Sequence, residues 1–460
     1  MATEPFRMTA TELLGAYASR ALSPVEAMKS VLARTAERNP DINALIFIDE
    51  DAALAEARES EARWAKGAPK GALDGIPITI KDSIAEATRP MLRGIKANMG
   101  AKPSGYDAPP TARLKEANGI VFAKTTMPDF GLLASGVSSA FGITRNPWNL
   151  DFNPGGSSSG AAAGLAAQCG PLAVGSDIGG SVRIPAALCG LVALKPTQGR
   201  IPHLPPSPVR SAGPLARTVA DTALMLTTLA GADPRDYGCI PADGTRYETL
   251  LDRDLSGLRI GIVMEGQNRH MPEPAVTSAV EAAAKVLENA GATIVPLPWV
   301  VGDDFMETTS IIFLMRGFTE FQKLPEHMRA MIPDHFTAWF ERIPSYSAID
   351  VGNSLDRLEV IKARVLAQLA EVDFMISPVL SYSGFPAEML QVPTEQGGIG
   401  YTPVWNQTGN PAASICCGFD TEKNLPIGLQ IIGQRFDDLG VLQLAAAYER
   451  MRGFEMHWPD

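Results

Sequence analysis

Ser157 and Ser181 are the residues of this sequence best placed to do chemistry, because each follows a Gly-Gly pair. Glycines let the backbone take sharp turns that other residues rarely adopt. The small-residue run 161–167 between the two serines is typical of a helix that can pack deeply. We therefore expect two turns that present hydroxyl groups, joined by a buried helix.

Ser181 is the better candidate nucleophile, because it ends the glycine turn Asp-Ile-Gly-Gly-Ser. Successive backbone N-H groups in such a turn can point into one concavity and stabilise a developing negative oxygen. A tight turn with a purely structural serine remains an alternative for this segment taken alone. The predicted oxyanion donors are the backbone N-H groups of Ile178, Gly179, Gly180 and Ser181.

Lys81 ends the apolar run 76–80, which predicts a buried strand. A lysine in that position is commonly a surface residue whose stem lies along apolar groups. If the amine is buried, however, the charged form is disfavoured, and the lysine can act as a base near neutral pH. From this segment alone both interpretations stay open.

Three motifs together resemble the amidase signature family of serine hydrolases: IPITIKD at 76–82, GGSSSG at 155–160 and GSDIGGSVRIP at 175–185. The stretches GPLARTVAD from Gly213 and LPIGLQIIG from Leu425 extend the likeness over most of the chain. The resemblance implies a triad of three catalytic residues without a cofactor. Its members are the nucleophile Ser181, the base Lys81 and the proton relay Ser157, which follows a cis peptide bond from Gly156.

Four neighbouring residues are predicted to support the site structurally: Gly156, Ser158, Asp177 and Arg183. Asp177 and Arg183 flank Ser181, so a buried ion pair between them would hold the shape of its turn. We favour that role over contact with a substrate. Ser158 could also cap the helix that follows it.

The order of predicted elements indicates an α/β fold, since apolar strands alternate with amphipathic helices along the chain. The resemblance implies one large mixed β-sheet with helices on both faces. We expect a single domain over 1–460, with N-terminal helices in 1–70, the catalytic core in 71–220 and a helical substrate-binding insertion in 299–365. Capping boxes at Thr9 and Ser23 mark the first helix starts.

The segment 299–342 is unusually rich in methionine and aromatic residues. Ordinary helix core explains much of this, but such residues also suit an apolar substrate pocket. Bulky side chains follow the lysine motif as well, where members of the family tend to carry small hydroxyl residues. The predicted pocket residues are Met91, Leu92, Phe313 and Met315.

Composition excludes several classes of function. The 40 basic and 51 acidic residues give a net charge of −11, which disfavours a nucleic-acid partner. Five cysteines are few and odd in number, and no signal or membrane-spanning pattern is present, so we expect a reduced, cytoplasmic protein without a membrane partner. The five histidines are scattered without metal-ligand spacing, so we expect no metal.

The functional hypothesis is a serine amidohydrolase that forms an acyl-enzyme on Ser181. The expected small-molecule substrates are hydrophobic aryl or alkyl amides, and also carbamates (urethanes) or esters. We expect a monomer or homodimer. Two alternatives remain: a glutamine-hydrolysing amidotransferase subunit, and an α/β-hydrolase with Ser158 as nucleophile in a G-x-S-x-G pattern. The second lacks a strand before the serine, since NLDFNP at 149–154 is a turn sequence.

Overall fold

A computed structural model describes residues 4–393 and 396–460. Its centre is a mixed sheet of 11 strands. In chain order these are β1 (Leu45–Ile46), β2 (Pro77–Lys81), β3 (Ile120–Thr125), β6 (Leu172–Asp177), β7 (Val192–Lys195), β8 (Ser211–Ala216), β9 (Arg259–Ile262), β10 (Thr293–Pro296), β11 (Phe374–Pro378), β12 (Ala412–Asp420) and β13 (Leu425–Gly433). Strands β4 (Val137–Ser138) and β5 (Gly142–Ile143) form a separate antiparallel pair.

The spatial order of the large sheet is β1-β3-β2-β6-β8-β7-β12-β13-β11-β9-β10. Strand β2 lies parallel to both of its neighbours, β3 and β6, whereas β8 is antiparallel to β6 and β7. The carboxyl ends of β2 and β6 therefore lie at the same edge of the sheet. This arrangement brings Lys81 and Asp177, the last residues of these two strands, close together.

Helices cover both faces of the sheet. They are α1 (Ala10–Ser19), α2 (Pro24–Ile42), α3 (Glu50–Ala65), α4 (Pro109–Glu116), α5 (Ser159–Ala166), α6 (Arg183–Cys189), α7 (Val219–Leu229), α8 (Pro274–Asn289), α9 (Phe305–Lys323), α10 (Glu326–Arg329), α11 (Asp334–Phe340), α12 (Ala348–Leu369), α13 (Val404–Thr408) and α14 (Asp438–Met451). In β6, Leu172 and Val174 join the core with α7 and α14, whereas Ala173 packs with α5 and α6 on the other face.

The first two helices begin as the sequence predicts. The side chain of Thr9 accepts from the backbone N-H of Glu12, and that of Ser23 accepts from Glu26; each glutamate closes a capping box. Pro24 takes the first helical position of α2, where no N-H group is required. Within the described residues, no helix is both long and apolar enough to cross a bilayer.

The range 299–365 contains α9 to α11 and most of α12, as the expectation of a helical insertion requires. Its aromatic residues pack mainly on one another and on the loop after β3: Phe130 contacts the rings of Phe336 and Phe340 edge-on. Helix α9 approaches this loop closely at Gly317, where an added Cβ would lie 2.5 Å from Leu132 Cδ1. The helices of this range therefore pack against the loop that follows β3.

Candidate active site

The side chain of Lys81 ends among buried hydroxyl and carbonyl groups. Lys81 is 1% exposed. Its Nζ lies 2.8 Å from Ser157 Oγ, 3.0 Å from Ser158 Oγ and 3.3 Å from the carbonyl oxygen of Ser176. These three partners are uncharged, so they can share a proton with a neutral amine but do not form an ion pair with an ammonium group.

The acidity of Lys81 follows from this environment. Burial lowers its pKa to about 7; the carboxylate of Asp177 opposes that shift, while Arg210 and Arg93 reinforce it. A lysine with a pKa near neutrality is partly unprotonated at pH 7 and can accept a proton from a neighbouring hydroxyl. The structure thus places a competent base 2.8 Å from a serine hydroxyl.

Ser157 is held by a backbone turn that only glycine can precede. The peptide bond from Gly156 to Ser157 is cis, as the resemblance implies. A Cβ on Gly156 would lie 2.3 Å from the carbonyl oxygen of Ser135. Gly131 approaches from the other side, and a Cβ there would lie 3.4 Å from Ser157 Oγ. Close contacts on both sides fix the hydroxyl of Ser157 toward Lys81.

Ser158 is fully buried and occupied by structural contacts. Its Oγ is bonded to Lys81 and lies 3.4 Å from both the N and the O of Ser176 in β6. Residues 144–158, all of them described, contain no strand, so the strand that a nucleophile elbow requires directly before the serine is missing there. This geometry favours the supporting role for Ser158 over the role of nucleophile.

Ser181 lies in the loop between β6 and α6 and is partly exposed, unlike Ser157 and Ser158. The two serine turns meet directly, because the backbone N-H of Ser158 donates to the carbonyl oxygen of Ser181 at 3.1 Å. The structure therefore brings together all three predicted catalytic residues, with only Ser181 reachable from outside. A nucleophile must meet its substrate, so this difference in exposure fits the assigned roles.

Asp177 shapes the loop that carries Ser181. Its carboxylate accepts from the backbone N-H of Gly180 at 2.6 Å and of Val182 at 3.2 Å. It also pairs with Arg183 through Nε at 3.0 Å and Nη2 at 3.1 Å. Burial alone would raise the pKa of Asp177, but the Arg183 guanidinium holds it well below its usual range. Both side chains are fully buried, so they serve the shape of the loop.

Arg183 connects this loop to the far side of the sheet. Its Nη1 donates to the carbonyl oxygen of Thr402 at 2.9 Å and to Gln430 Oε1 at 2.7 Å, and its Nη2 donates to Asn406 Oδ1 at 2.7 Å. Sequence patterns do not reveal Asn406 and Gln430, which lie more than 200 residues away in the chain. They satisfy the guanidinium and so stabilise an otherwise costly buried charge.

One predicted oxyanion donor is already engaged. The N-H of Gly180 donates to Asp177, so Gly180 is unsuited to the role of oxyanion donor that the sequence suggests. The N-H groups of Ile178, Gly179 and Ser181 donate to no acceptor in the described part of the chain. Three unused donors in one turn can still form a site for a developing negative oxygen.

A family model described as Amidase matches residues 26–442 of this chain. The chain belongs to the amidase signature family. Among curated relatives, it is 33% identical to the A subunit of glutamyl-tRNA(Gln) amidotransferase from Chloroflexus aurantiacus, an alignment that covers 99% of each chain. The same subunit of Thermosynechococcus vestitus is also 33% identical, over 95% of this chain and 96% of the relative.

Solved structures of amidase signature enzymes share the fold. A bacterial aryl acylamidase superposes with a TM-score of 0.90 at 27% identity, covering 96% of both chains. A 6-aminohexanoate cyclic dimer hydrolase gives 0.89 at 26% identity over 99% of both chains. The amidotransferase A subunit from Thermotoga maritima gives 0.84 at 26% identity, covering 100% of this chain and 99% of the other.

The second residue of the amidase Lys-Asp pair has a separate role that the sequence analysis missed. Asp82 accepts from the backbone N-H of Leu92 at 3.0 Å and of Gly94 at 2.9 Å. Lys124 lies 3.6 Å from the same carboxylate. Asp82 therefore holds the segment that contains Arg93 close enough for its charge to act on Lys81. The adjacency of Asp82 to Lys81 was a signal that could have identified it.

Two of the predicted pocket residues lie elsewhere. Met91 packs against the main core, and Leu92 is 1% exposed, so neither side chain lines the cavities beside the site. Phe313 lines two adjoining cavities, whereas Met315 on the same helix is absent from the lining of both. Of the two predicted pocket residues on α9, only Phe313 faces these cavities.

The larger cavity has a volume of about 500 Å³. Apolar side chains that include Leu132, Phe313 and Trp339 form much of its lining, together with polar residues such as Gln267 and Arg342. The smaller one is narrow, about 20 Å³, and lies between α9 and the catalytic turns. Both lie between the insertion and the core of the amidase fold.

Proposed function

We propose that this protein is an amidohydrolase that cleaves carbon-nitrogen bonds through an acyl-enzyme on Ser181. Its substrates are aryl or alkyl amides with a hydrophobic portion, and carbamates form a second accepted class. The observation that carries the proposal is the buried Lys81, whose pKa of about 7 and 2.8 Å contact with Ser157 make it a proton acceptor at neutral pH.

The chemistry follows from the positions of the three residues. Ser181 Oγ attacks the carbonyl carbon while its proton passes through Ser157 to Lys81. The carbonyl oxygen becomes negative and is met by the free N-H groups of the Ser181 turn. Collapse breaks the carbon-nitrogen bond, and the departing amine takes the proton back from Lys81. Water then repeats these steps on the acyl-enzyme and releases the acid.

The hydrophobic substrate preference rests on the larger cavity, since its volume of about 500 Å³ suits a drug-sized ligand. The structural similarity to an aryl acylamidase agrees with that preference. A carbamate carries the same carbonyl bonded to nitrogen, so the same attack on it yields a carbonate or carbamoyl form of Ser181. The cavity thus supports a substrate larger than a simple primary amide.

Labelling tests the nucleophile. Incubation of the purified protein with a fluorophosphonate, followed by peptide mass analysis, should place the label on Ser181. A label on Ser158 would instead support the α/β-hydrolase alternative. The matched control is the Ser181→Ala protein, which should take up no label.

Rates test the substrate class. We expect purified enzyme to hydrolyse 4-nitroacetanilide and an N-aryl carbamate with higher kcat/KM than glutamine, with a 4-nitrophenyl ester as a reference for the acylation step. Glutamine as the best substrate would overturn the substrate proposal and leave the catalytic one standing.

The amidotransferase alternative has one specific observation in its favour, namely 33% identity to the amidotransferase A subunit over nearly the whole chain. It predicts that the protein works with partner subunits. Size-exclusion chromatography with light scattering, combined with the rate comparison, separates the two functions. An active lone monomer or homodimer favours the stand-alone amidohydrolase.

A further inference from the structure

We infer that the narrow cavity lined by Arg93 and Arg316 binds a carboxylate group of the substrate, close to the amide bond that is cleaved. The inference rests on the proposed function and narrows its substrate class to amides that carry both an acidic group and the hydrophobic portion that glutamine lacks. We call this cavity, with Glu320 as its acidic member, the arginine pocket.

The arginine pocket lies directly beside the reacting residues. Its lining includes Ile178, which belongs to the Ser181 turn. It also includes Gly131, whose backbone lies so close to Ser157 that an added Cβ would come within 3.4 Å of the serine hydroxyl. A group bound in the pocket would therefore be only a few atoms away from a carbonyl attacked by Ser181.

The charges in the pocket do not balance. Arg93 Nη1 pairs with Glu320 Oε2 at 2.5 Å, and Arg93 Nη2 donates to the carbonyl oxygen of Phe130 at 3.2 Å. Arg316 lines the same cavity, yet it makes no hydrogen bond or ion pair with any residue in the described ranges. Burial lowers the pKa of Arg316 and the charge of Glu320 opposes that shift, but the Glu320 carboxylate is bonded to Arg93. The five N-H donors of the Arg316 guanidinium therefore have no hydrogen-bonded anion among the described residues.

Further positive charge lies nearby. Burial, reinforced by the charges of Arg316 and Arg93, lowers the pKa of Arg210 to about 9, while Glu320 opposes that shift. Arg210 is 6% exposed, and its Nε has no acceptor among the described residues. An anion bound near Arg93, Arg210 and Arg316 would relieve the repulsion among the three guanidinium groups.

A carboxylate fits the pocket better than a tetrahedral anion does. The cavity is narrow, about 20 Å³, and leaves little room for a bulky group. A flat carboxylate can enter such a space edge-on, and the planar fork of a guanidinium binds it with two parallel hydrogen bonds. The adjoining larger cavity would then hold the hydrophobic portion of the same substrate.

The backbone that carries Arg93 is held in place by Asp82, which accepts from the N-H groups of Leu92 and Gly94. Arg93 is therefore fixed at the wall of the pocket.

An alternative role for the cluster is to keep Lys81 unprotonated, because Arg210 and Arg93 both lower its pKa. Arg316 is not among the main causes of the lowered pKa of Lys81. A change at Arg316 therefore separates binding of an anion from tuning of the base. The pH profile of kcat/KM for a neutral substrate should be the same in the wild type and in Arg316→Gln.

The decisive experiment compares matched substrates that differ by one carboxylate. On the acyl side the pair is succinyl-4-nitroanilide and pentanoyl-4-nitroanilide; on the amine side it is N-benzoylglycine and N-benzoylpropylamine. We expect wild-type kcat/KM to favour the acid of at least one pair. Arg316→Gln should lower kcat/KM for that acid about 10- to 100-fold, the range for a hydrogen bond to a charged group, and leave its neutral partner unchanged.

Two further variants control for charge and folding. Arg357→Gln removes the same charge from an arginine on α12 whose side chain is 51% exposed, so the preference for the acid should persist. Arg316→Lys keeps the charge without the fork and should retain part of the preference. A wild type without preference in either pair, or a preference that survives in Arg316→Gln, would overturn the carboxylate site.

Binding measurements keep this inference separate from the proposed function. In Ser181→Ala protein, calorimetry should detect succinate but not succinamide, and Arg316→Gln should abolish the succinate signal. If none of the four substrates is hydrolysed and Ser181 takes up no fluorophosphonate label, the proposed amidohydrolase function is rejected. The calorimetry alone would then show whether the arginine pocket binds a carboxylate. A succinate signal that persists in Arg316→Gln protein would contradict the carboxylate site.

Discussion

The predicted catalytic turns, residues 155–183, and the helical insertion, residues 299–365, differ in how their residues are packed. In the turns almost every residue is buried, and polar groups have fixed partners; Asp177 alone accepts from two backbone N-H groups and pairs with Arg183. In the insertion most residues are partly or fully exposed, and Arg316 faces a cavity without a partner among the described residues. The first region is held in one geometry by its contacts, and the second leaves more of its side chains open to solvent and cavities.

Glycines show the contrast most directly. An added Cβ at Gly160 would lie 2.2 Å from the carbonyl oxygen of Ala44, and at Gly180 it would lie 2.2 Å from Thr402 Oγ1. At Gly352 in α12 a Cβ would meet nothing within 4 Å. Sterics therefore restrict the residue types of the catalytic turns far more than those of the insertion, which is why motifs are visible in one region and not in the other.

The largest effects should come from the three catalytic residues. Ser181→Ala removes the nucleophile and should lower kcat at least about 10³-fold. Lys81→Ala should be nearly as damaging, because its pKa of about 7 makes it the base. Ser157→Ala should keep the most activity, since water can replace a relay. Steady-state rates on 4-nitroacetanilide give this order.

Folding is the necessary control for that comparison. Each variant should show the circular dichroism spectrum of the wild type and a cooperative melt. Wild-type turnover by folded Lys81→Ala protein would reject Lys81 as the base. A folded Ser157→Ala enzyme weaker than Ser181→Ala would contradict the relay.

Gly180→Ala should damage both activity and stability. Gly180 has a φ of +119°, and a Cβ would also lie 2.7 Å from Ile184 Cδ1. Because Asp177 holds the Gly180 N-H, displacement of this residue would move the free donors beside it. We expect kcat to fall about 10²-fold, comparable to loss of an oxyanion donor, and Tm to fall as well.

Gly15→Ala is the matched control, since a Cβ on Gly15 in α1 would meet nothing within 4 Å. It should leave kcat unchanged. Gly180→Ala protein with wild-type kcat would show that the geometry of this turn does not govern the chemistry.

Much of the catalytic region could be predicted from sequence, because its constraints are local. A Gly-Gly-Ser turn, a Lys-Asp pair after an apolar strand and the family resemblance together pointed to residues that lie close together in the structure. Lys81 Nζ lies 2.8 Å from Ser157 Oγ, and the backbone N-H of Ser158 donates to the carbonyl oxygen of Ser181 at 3.1 Å. The mixed sheet with helices on both faces is confirmed as well. Helices α1 and α2 begin at the capping boxes that the sequence predicts.

Other features depend on contacts that no local pattern records. Strand β8 contains Gly213 and Pro214, which are typical of turns, yet antiparallel pairing with β6 and β7 makes it a strand. The apolar side chains of Met91 and Leu92 pack within the protein and do not line the cavities beside the site. That Gly180 donates to Asp177 also requires the folded loop to be known.

The next prediction concerns pH and compares two buried lysines. Burial lowers the pKa of both Lys81 and Lys195 to about 7, but Lys195 Nζ contacts only the carbonyl oxygen of Pro196 among the described residues. Below about pH 7, kcat/KM should fall about tenfold per pH unit as Lys81 gains a proton. Lys195→Met should leave this limb unchanged; a shifted limb would make Lys195 part of the proton path.

Stability should respond to Lys195 although activity does not. Its folded pKa of about 7 is below the ordinary value of 10.5, so the unfolded chain binds more protons between these limits and stability rises with pH. Each such lysine contributes a slope of about 1.4 kcal/mol per pH unit. Lys195→Met should reduce the slope by that amount, measured by urea unfolding from pH 7.5 to 9.5. Equal slopes of stability against pH in the wild type and in Lys195→Met would contradict a lowered pKa of Lys195.

The smallest effect should come from Gly352→Ala in the insertion. Gly352 lies inside α12, where alanine is favoured over glycine by about 0.5–1 kcal/mol, and an added Cβ meets nothing within 4 Å. Unfolding free energy should therefore rise slightly while kcat/KM stays constant.

Gly317→Ala in α9 is the contrasting change, because its Cβ would lie 2.5 Å from Leu132 Cδ1 and 2.9 Å from Phe340 Cε1. That variant should lose stability and alter KM by shifting the cavity wall. Similar urea midpoints for the two variants would show that α9, where it packs on Leu132, tolerates an added methyl group as well as α12 does.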